Sequence, residues 1–253
     1  MAFRITLSSE YGQWREFLLA VPARMDTDGT WIYGGKRNLI KSFEAPDGTV
    51  LVVKRYHRPR GVNALVYSLG IRSPKGERAF RYASVLHSHG VDTPEPVAYM
   101  EHRNAGLLLD SYLVTLRCDY AHRLYELGNA TADVYEPMAT ALAAFTAHMH
   151  DEGILHLDYS PGNILWEKDA DGRYHFSVVD INRMRFGSVG MADGCKCFAR
   201  LWGPKAFIKM LAREYARLRG FDPDEAVEIT LKARRKFWIR YQRKREVEFK
   251  LEL

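Results

Sequence analysis

The chain has 253 residues, 47% hydrophobic and 27% charged, ordinary proportions for a globular protein with enough length for a sizeable core. No apolar run of about 18 residues occurs, and the Met-Ala-Phe-Arg-Ile-Thr start lacks the basic, apolar, small-residue succession of a signal peptide, so neither a membrane span nor secretion is expected. The net charge of +6 admits acidic partners, while Cys118, Cys195 and Cys197 make neither a disulfide framework nor a zinc pattern and are expected as free thiols in a reducing cytoplasm.

From about Thr30 to Leu116 the pattern is strand-rich. Trp31-Ile32-Tyr33, Gly34-Gly35 and Asn38 to Phe43 read as strand, glycine turn and strand. Asp47-Gly48 is a hairpin signal, leading into the largely β-branched run Thr49 to Val53 that ends at Lys54. A helix is predicted over Lys75 to His89, stopped by Gly90. Thr93-Pro94-Glu95-Pro96 reads as a rigid connector into Val97 to Met100, and Ser111 to Leu116 alternates into a further strand.

From about Val134 the reading turns helical. Tyr135, Met138, Leu142, Phe145 and Met149 recur at three- and four-residue spacing, one apolar stripe on a helix that ends before Gly153. Lys205 to Arg219 is a second helix, closed by Gly220. Asp222-Pro223-Asp224-Glu225 supplies an N-cap, a first-turn proline and a capping-box glutamate for a last one. Strands first and helices second predict an α+β fold of two lobes, residues 1–117 and 118–253, joined near Arg117 to Tyr120.

The stretch Ile154 to Leu165 holds His156, Asp158 and, five positions on, Asn163, between apolar flanks. Phe176 to Val179 reads as a short buried strand that delivers Asp180. A lysine at a strand end, His-x-Asp-x-x-x-x-Asn on a loop and an aspartate after a strand is the order of parts required for phosphoryl transfer on a protein-kinase-like fold. Such chemistry is mostly positioning and charge neutralisation. Lys54 is then expected on the α/β-phosphates of ATP, Asn163 and Asp180 as hard oxygen ligands of Mg²⁺, and Asp158 on the acceptor hydroxyl as base. His156 is expected to brace the loop backbone rather than react.

Gly153-Ile154-Leu155-His156-x-Asp158, Pro161-Gly162-Asn163 and Asp180-Ile181-Asn182-Arg183 resemble the lipopolysaccharide core kinase family, and Thr93 to Ala98 resembles the segment after that family's first-lobe helix. The resemblance implies a bacterial ATP-dependent enzyme, cytoplasmic or peripheral at the inner membrane, that phosphorylates Kdo or heptose in a lipid-linked core oligosaccharide. Leu157 stands where many protein kinases carry the arginine that reads a phosphorylated activation loop. Ser160 stands where serine/threonine kinases usually carry lysine, and about seventy residues follow Asp180. These departures point away from protein acceptors. An aminoglycoside-like or protein acceptor, or a nucleotide-binding pseudokinase scaffold, are the rival readings.

Glu77, in the first turn of its helix, is either the partner of Lys54 or a dipole-stabilised surface carboxylate. Gly34 and Gly35 are either a plain hairpin turn or a loop over the nucleotide phosphates. His87 with His89, and His148 with His150, are two apart and share no helix face, so metal binding there is not expected. Lys232 to Arg245 carries basic residues and no acidic one, interleaved with Phe237, Trp238, Ile239 and Tyr241. It is expected as a surface helix attracted to an anionic inner-membrane surface, with nucleic acid not expected as a partner.

Overall fold

The computed structural model describes residues 2–34 and 38–253, so Gly35 lies outside the described residues. The chain forms two compact units, one of Met1–Ser88 with Thr93–Asp119, the other of His89–Asp92 with Tyr120–Leu253.

The first unit contains β1 (Ala2–Leu7), α1 (Arg15–Arg24), β2 (Thr30–Gly34), β3 (Asn38–Glu44), β4 (Val50–Tyr56), α2 (Val62–Ser68), α3 (Lys75–Ser88), β5 (Pro96–Asn104) and β6 (Leu107–Leu116). Six strands make one antiparallel sheet in the order β1-β5-β6-β4-β3-β2. The β3–β4 turn is closed where sequence places it: Asp47 Oδ1 accepts from the Thr49 N–H at 3.0 Å, and Gly48 takes a φ of 86° that glycine tolerates. Along β4 the period of two sorts side chains to opposite faces. Leu51 and Val53 enter a core with Trp14, Leu18, Val21 and Met25, from α1 and its approaches. Val52, Lys54 and Tyr56 take the other face. There α3 lies close, because Gly76 has no side chain; a Cβ at that position would meet the Tyr99 ring at 2.9 Å and the Tyr56 ring at 3.1 Å.

Residues 1–29, for which the sequence reading offered no element, thus supply an edge strand and the helix that covers one sheet face. Buried Glu101 on β5 accepts from the Tyr99 hydroxyl at 2.9 Å and from Arg103 Nε at 2.7 Å, and Arg103 Nη1 reaches the Ser68 carbonyl at 3.2 Å. These bonds fasten the end of α2 to the sheet. Around α2 the aliphatic side chains of Val62, Leu65, Leu69 and Ile71 face solvent, at 76, 54, 72 and 72% exposure.

The second unit contains β7 (His122–Arg123), α4 (Ala132–Asp151), β8 (Ile154–His156), β9 (Ile164–Lys168), β10 (Tyr174–Val178), β11 (Met184–Phe186), α5 (Met191–Cys197), α6 (Lys205–Leu218) and α7 (Pro223–Gln242). Met138, Leu142 and Met149 of the α4 stripe are buried, as are Phe207, Ile208, Leu211 and Tyr215 of α6, which packs against it. Asp222 caps α7, its Oδ1 accepting from the Glu225 N–H at 2.7 Å. Two short antiparallel pairings, β8 with β11 and β9 with β10, carry the loops between them. The three cysteines are free thiols, and burial pushes the Cys195 thiol up to about 11.

One expectation for the C-terminal helix is corrected. Arg234 is not part of a basic outer face: it is fully buried, with Nη1 and Nη2 on the carbonyls of Leu201 and Gly203 at 2.5 and 2.9 Å. Burial lowers its pKa to about 10. Trp238, one turn on, is buried as well, so one stripe of α7 is core. No helix among the described residues is long and apolar enough to cross a membrane.

Candidate active site

The β8–β11 register sets His156 opposite Met184, and the Leu157 N–H then donates to the Arg183 carbonyl at 2.9 Å. The β9–β10 register sets Ile164 opposite Val178, which brings Asn163 and Asp180 to the same end of that hairpin. A closed ring of hydrogen bonds joins the two pairings. The Asp158 N–H donates to His156 Nδ1 at 3.0 Å, and His156 Nε2 donates to the Val179 carbonyl at 3.1 Å. The Val179 N–H donates to the Asn163 carbonyl at 3.0 Å, and Asn163 Nδ2 returns to the Asp158 carbonyl at 2.9 Å.

His156 is the keystone. Accepting at Nδ1 places its proton on Nε2, the tautomer that can brace Val179. Burial lowers its pKa and keeps the ring neutral. Its predicted supporting role matches this geometry. Tyr159 anchors the loop from below: its buried hydroxyl lies 2.8 Å from Thr146 Oγ1, which donates to the Leu142 carbonyl on α4. Gly162 is required by close approach, since a Cβ there would stand 2.7 Å from the Tyr125 hydroxyl. Asp180 takes a φ of 57°, the left-handed region a non-glycine residue rarely enters. Asn182 Nδ2 holds its Oδ1 at 2.5 Å.

The carboxylate of Asp158 meets two guanidinium groups: Arg200 Nη1 contacts Oδ1, and Arg183 Nη1 lies 3.4 Å from Oδ2. Neither was singled out from sequence. Arg183 closes the Asp-Ile-Asn-Arg motif without a local sign of its role. Arg200 is 42 positions from Asp158, beyond any local pattern.

Asn163 commits its amide nitrogen to the Asp158 carbonyl, so that Oδ1 is the end of that side chain that could ligate a metal. With the Asp180 carboxylate this makes a hard oxygen pair. Among the described residues no group of three or more His, Cys, Asp or Glu could hold a metal by itself. Mg²⁺ commonly keeps waters and takes phosphate oxygens beside one or two protein ligands, so the donor set fits an ion that arrives with a nucleotide.

The other candidates lie in the first unit. Lys54 sits in β4 between Ile40 and Leu113, two residues before the strand ends, with Nζ 5.2 Å from the centre of the Tyr56 ring. Glu77 is half-buried in the first turn of α3, next to Gly76, which packs on that same Tyr56. Lys54 and Glu77 therefore belong to one sheet face. Gly34 ends β2, where a Cβ would meet the Trp31 indole nitrogen at 2.8 Å, a packing reason for glycine independent of any ligand.

His150 is buried too, its Nδ1 at 2.9 Å from the Tyr215 hydroxyl, and burial pulls its pKa down to about 3 from an ordinary 6.5. Both His150 and His156 fold neutral, whereas the unfolded chain takes up their protons near pH 6.5. Their contribution to stability is full above that pH. Melting temperature is expected to fall as pH drops from about 6.5 towards 3, more steeply than in His150→Asn, measured by scanning calorimetry across that window.

A search of the curated proteins finds no match for the chain. A solved structure described as WaaP in complex with acyl carrier protein is 20% identical, with 94% of this chain and 99% of that chain covered and a TM-score of 0.57. The Rio2 kinase–ADP/Mg²⁺-phosphoaspartate complex from Chaetomium thermophilum is 17% identical, with 93% and 78% covered and a TM-score of 0.51. These likenesses show the fold, the α+β, two-lobed architecture of the protein kinases with a strand-rich N-terminal lobe and a helical C-terminal one. The family model for the lipopolysaccharide kinase (Kdo/WaaP) family matches residues 24–201. That match spans well over half of the sequence, and the chain belongs to the lipopolysaccharide kinase (Kdo/WaaP) family, as an ATP-dependent phosphotransferase.

Proposed function

We propose that the enzyme transfers the γ-phosphoryl group of ATP to a hydroxyl of Kdo or heptose in a lipid-linked core oligosaccharide. The observation that carries this reading is the hydrogen-bonded ring, which holds Asp158 and Asn163 in one frame beside Asp180. Asp158 accepts the hydroxyl proton as the acceptor oxygen bonds to the γ-phosphorus and the β–γ bridging bond breaks, releasing ADP. Asn163 and Asp180 hold Mg²⁺, which when bound neutralises phosphate charge. Lys54 pairs with the α/β-phosphates, Glu77 orients Lys54, and Gly34 covers the phosphates. In this reading residues 1–117 form the nucleotide-covering lobe and 118–253 the lobe of the catalytic loop and metal.

A second feature favours a lipid-linked acceptor. Val62, Leu65, Leu69 and Ile71 present aliphatic surface beside exposed Arg60 and Arg72, chemistry suited to an anionic bilayer. In this reading the enzyme works at the cytoplasmic face of the inner membrane. Labelled ATP is to be incubated with Kdo- and heptose-terminated acceptors in anionic vesicles, and with an aminoglycoside in solution. Label is expected on one lipid-borne sugar, with the protein sedimenting alongside the vesicles. Label on the aminoglycoside alone, with protein left in the supernatant, sinks the reading.

A further inference from the structure

The two arginines on Asp158 call for a reason. Ion pairs with this much solvent contribute little to stability. The side chains of Arg200, Arg183 and Asp158 are 39, 47 and 25% exposed. Arg234, by contrast, is buried on carbonyls and has a structural role. Two guanidinium groups thus converge on the one Asp158 carboxylate. A guanidinium has five N–H donors in a fork that matches carboxylate and phosphate oxygens, and each of these gives Asp158 one nitrogen.

Their origins differ from those of the candidate metal ligands. Asn163 and Asp180 stand at the end of the β9–β10 hairpin. Arg200 comes from the 3-10 turn Phe198–Arg200, which packs on α7, and its guanidinium lies 5.4 Å from the centre of the Phe237 ring. That cation–π contact helps hold the guanidinium in place. An acceptor hydroxyl that reaches the Asp158 carboxylate approaches oxygens that both arginines already contact.

We infer that Arg183 and Arg200 form an oxyanion subsite for the acceptor, binding a carboxylate or phosphate that lies beside the hydroxyl to be phosphorylated. The inference rests on Asp158 being the base. It deepens the proposed function by making the enzyme selective for an acidic acceptor, so that a sugar acid is preferred to a neutral sugar.

The test compares three acceptors with wild type, Arg183→Gln, Arg200→Gln and Arg200→Lys. The acceptors are a Kdo-terminated lipid, its carboxyl methyl ester, and the same lipid stripped of phosphate. Wild type is expected to favour the fully charged acceptor over one of the two neutralised forms, and which form loses identifies carboxylate or phosphate as the anion. Each glutamine variant is expected to lower kcat/KM for the charged acceptor roughly 10- to 100-fold, mainly through KM, while the neutralised form changes less than about threefold. Arg200→Lys is expected to fall between, since it keeps charge without the fork. Equal losses on all acceptors overturn the subsite and place the arginines on the transferring phosphoryl group. Wild-type indifference to both neutralisations also overturns it. Transfer to none of these acceptors, with Mg-ATP still raising the melting temperature, instead removes the proposed acceptor class and the subsite with it.

Discussion

Replacing Asp158 with alanine is expected to lower kcat by roughly 10²- to 10⁴-fold, the usual contribution of a positioned general base. The fold should survive the change. The hydrogen-bonded ring uses the main-chain N–H and carbonyl of Asp158, not its carboxylate, so His156, Val179 and Asn163 keep their partners when the side chain is cut back. Alanine therefore separates chemistry from architecture. Single-turnover transfer from labelled ATP, with the Mg-ATP thermal shift as control for nucleotide binding, reads the two apart. Undiminished transfer removes Asp158 from the role of base. A loss of the thermal shift together with transfer shows instead that the nucleotide site has been disturbed.

The second large effect concerns stability. Arg234→Ala is expected to cost about 3–5 kcal/mol, because two buried carbonyls lose a charged donor at roughly 1–3 kcal/mol each and a cavity opens beside Trp238. For a chain of this size that is a fall in melting temperature of roughly 10 °C. Its neighbour Arg235 is exposed, and Arg235→Ala is expected to stay within about 0.5 kcal/mol. Calorimetry of the pair decides the point: equal small effects would show that Arg234 acts as surface charge after all. The carbonyls it holds, on Leu201 and Gly203, lie one and three residues after Arg200. Loss of Arg234 is therefore also expected to weaken acceptor binding by loosening the turn that carries Arg200.

Much of the fold was written locally. The Asp47-Gly48 turn, the Lys75 helix, the α4 stripe and the Asp222 cap each depend on residues within one turn or one hairpin of each other, and period and turn chemistry reveal them. The motif spacing of His156, Asp158, Asn163 and Asp180 was legible for the same reason: each is set by a short loop or a short strand. The extreme N-terminus was less so. Phe3, Ile5 and Leu7 of β1 do alternate, but their partner β5 lies some ninety residues on, and α1 carries Pro22 in its interior, which weakens a helical signal.

Sequence alone picked out the residues proposed for phosphoryl chemistry, because an aspartate, an asparagine and a second aspartate at those spacings have few other uses together. Tertiary structure decided what surrounds Asp158. Charge in a sequence carries no address: Arg200 reaches Asp158 from 42 residues away, and Arg234 leaves a run of basic surface residues to satisfy carbonyls inside the fold. Only packing distinguishes a cation turned to the Asp158 carboxylate from one turned inward, since the cost of burying a guanidinium is met only where backbone oxygens converge on it.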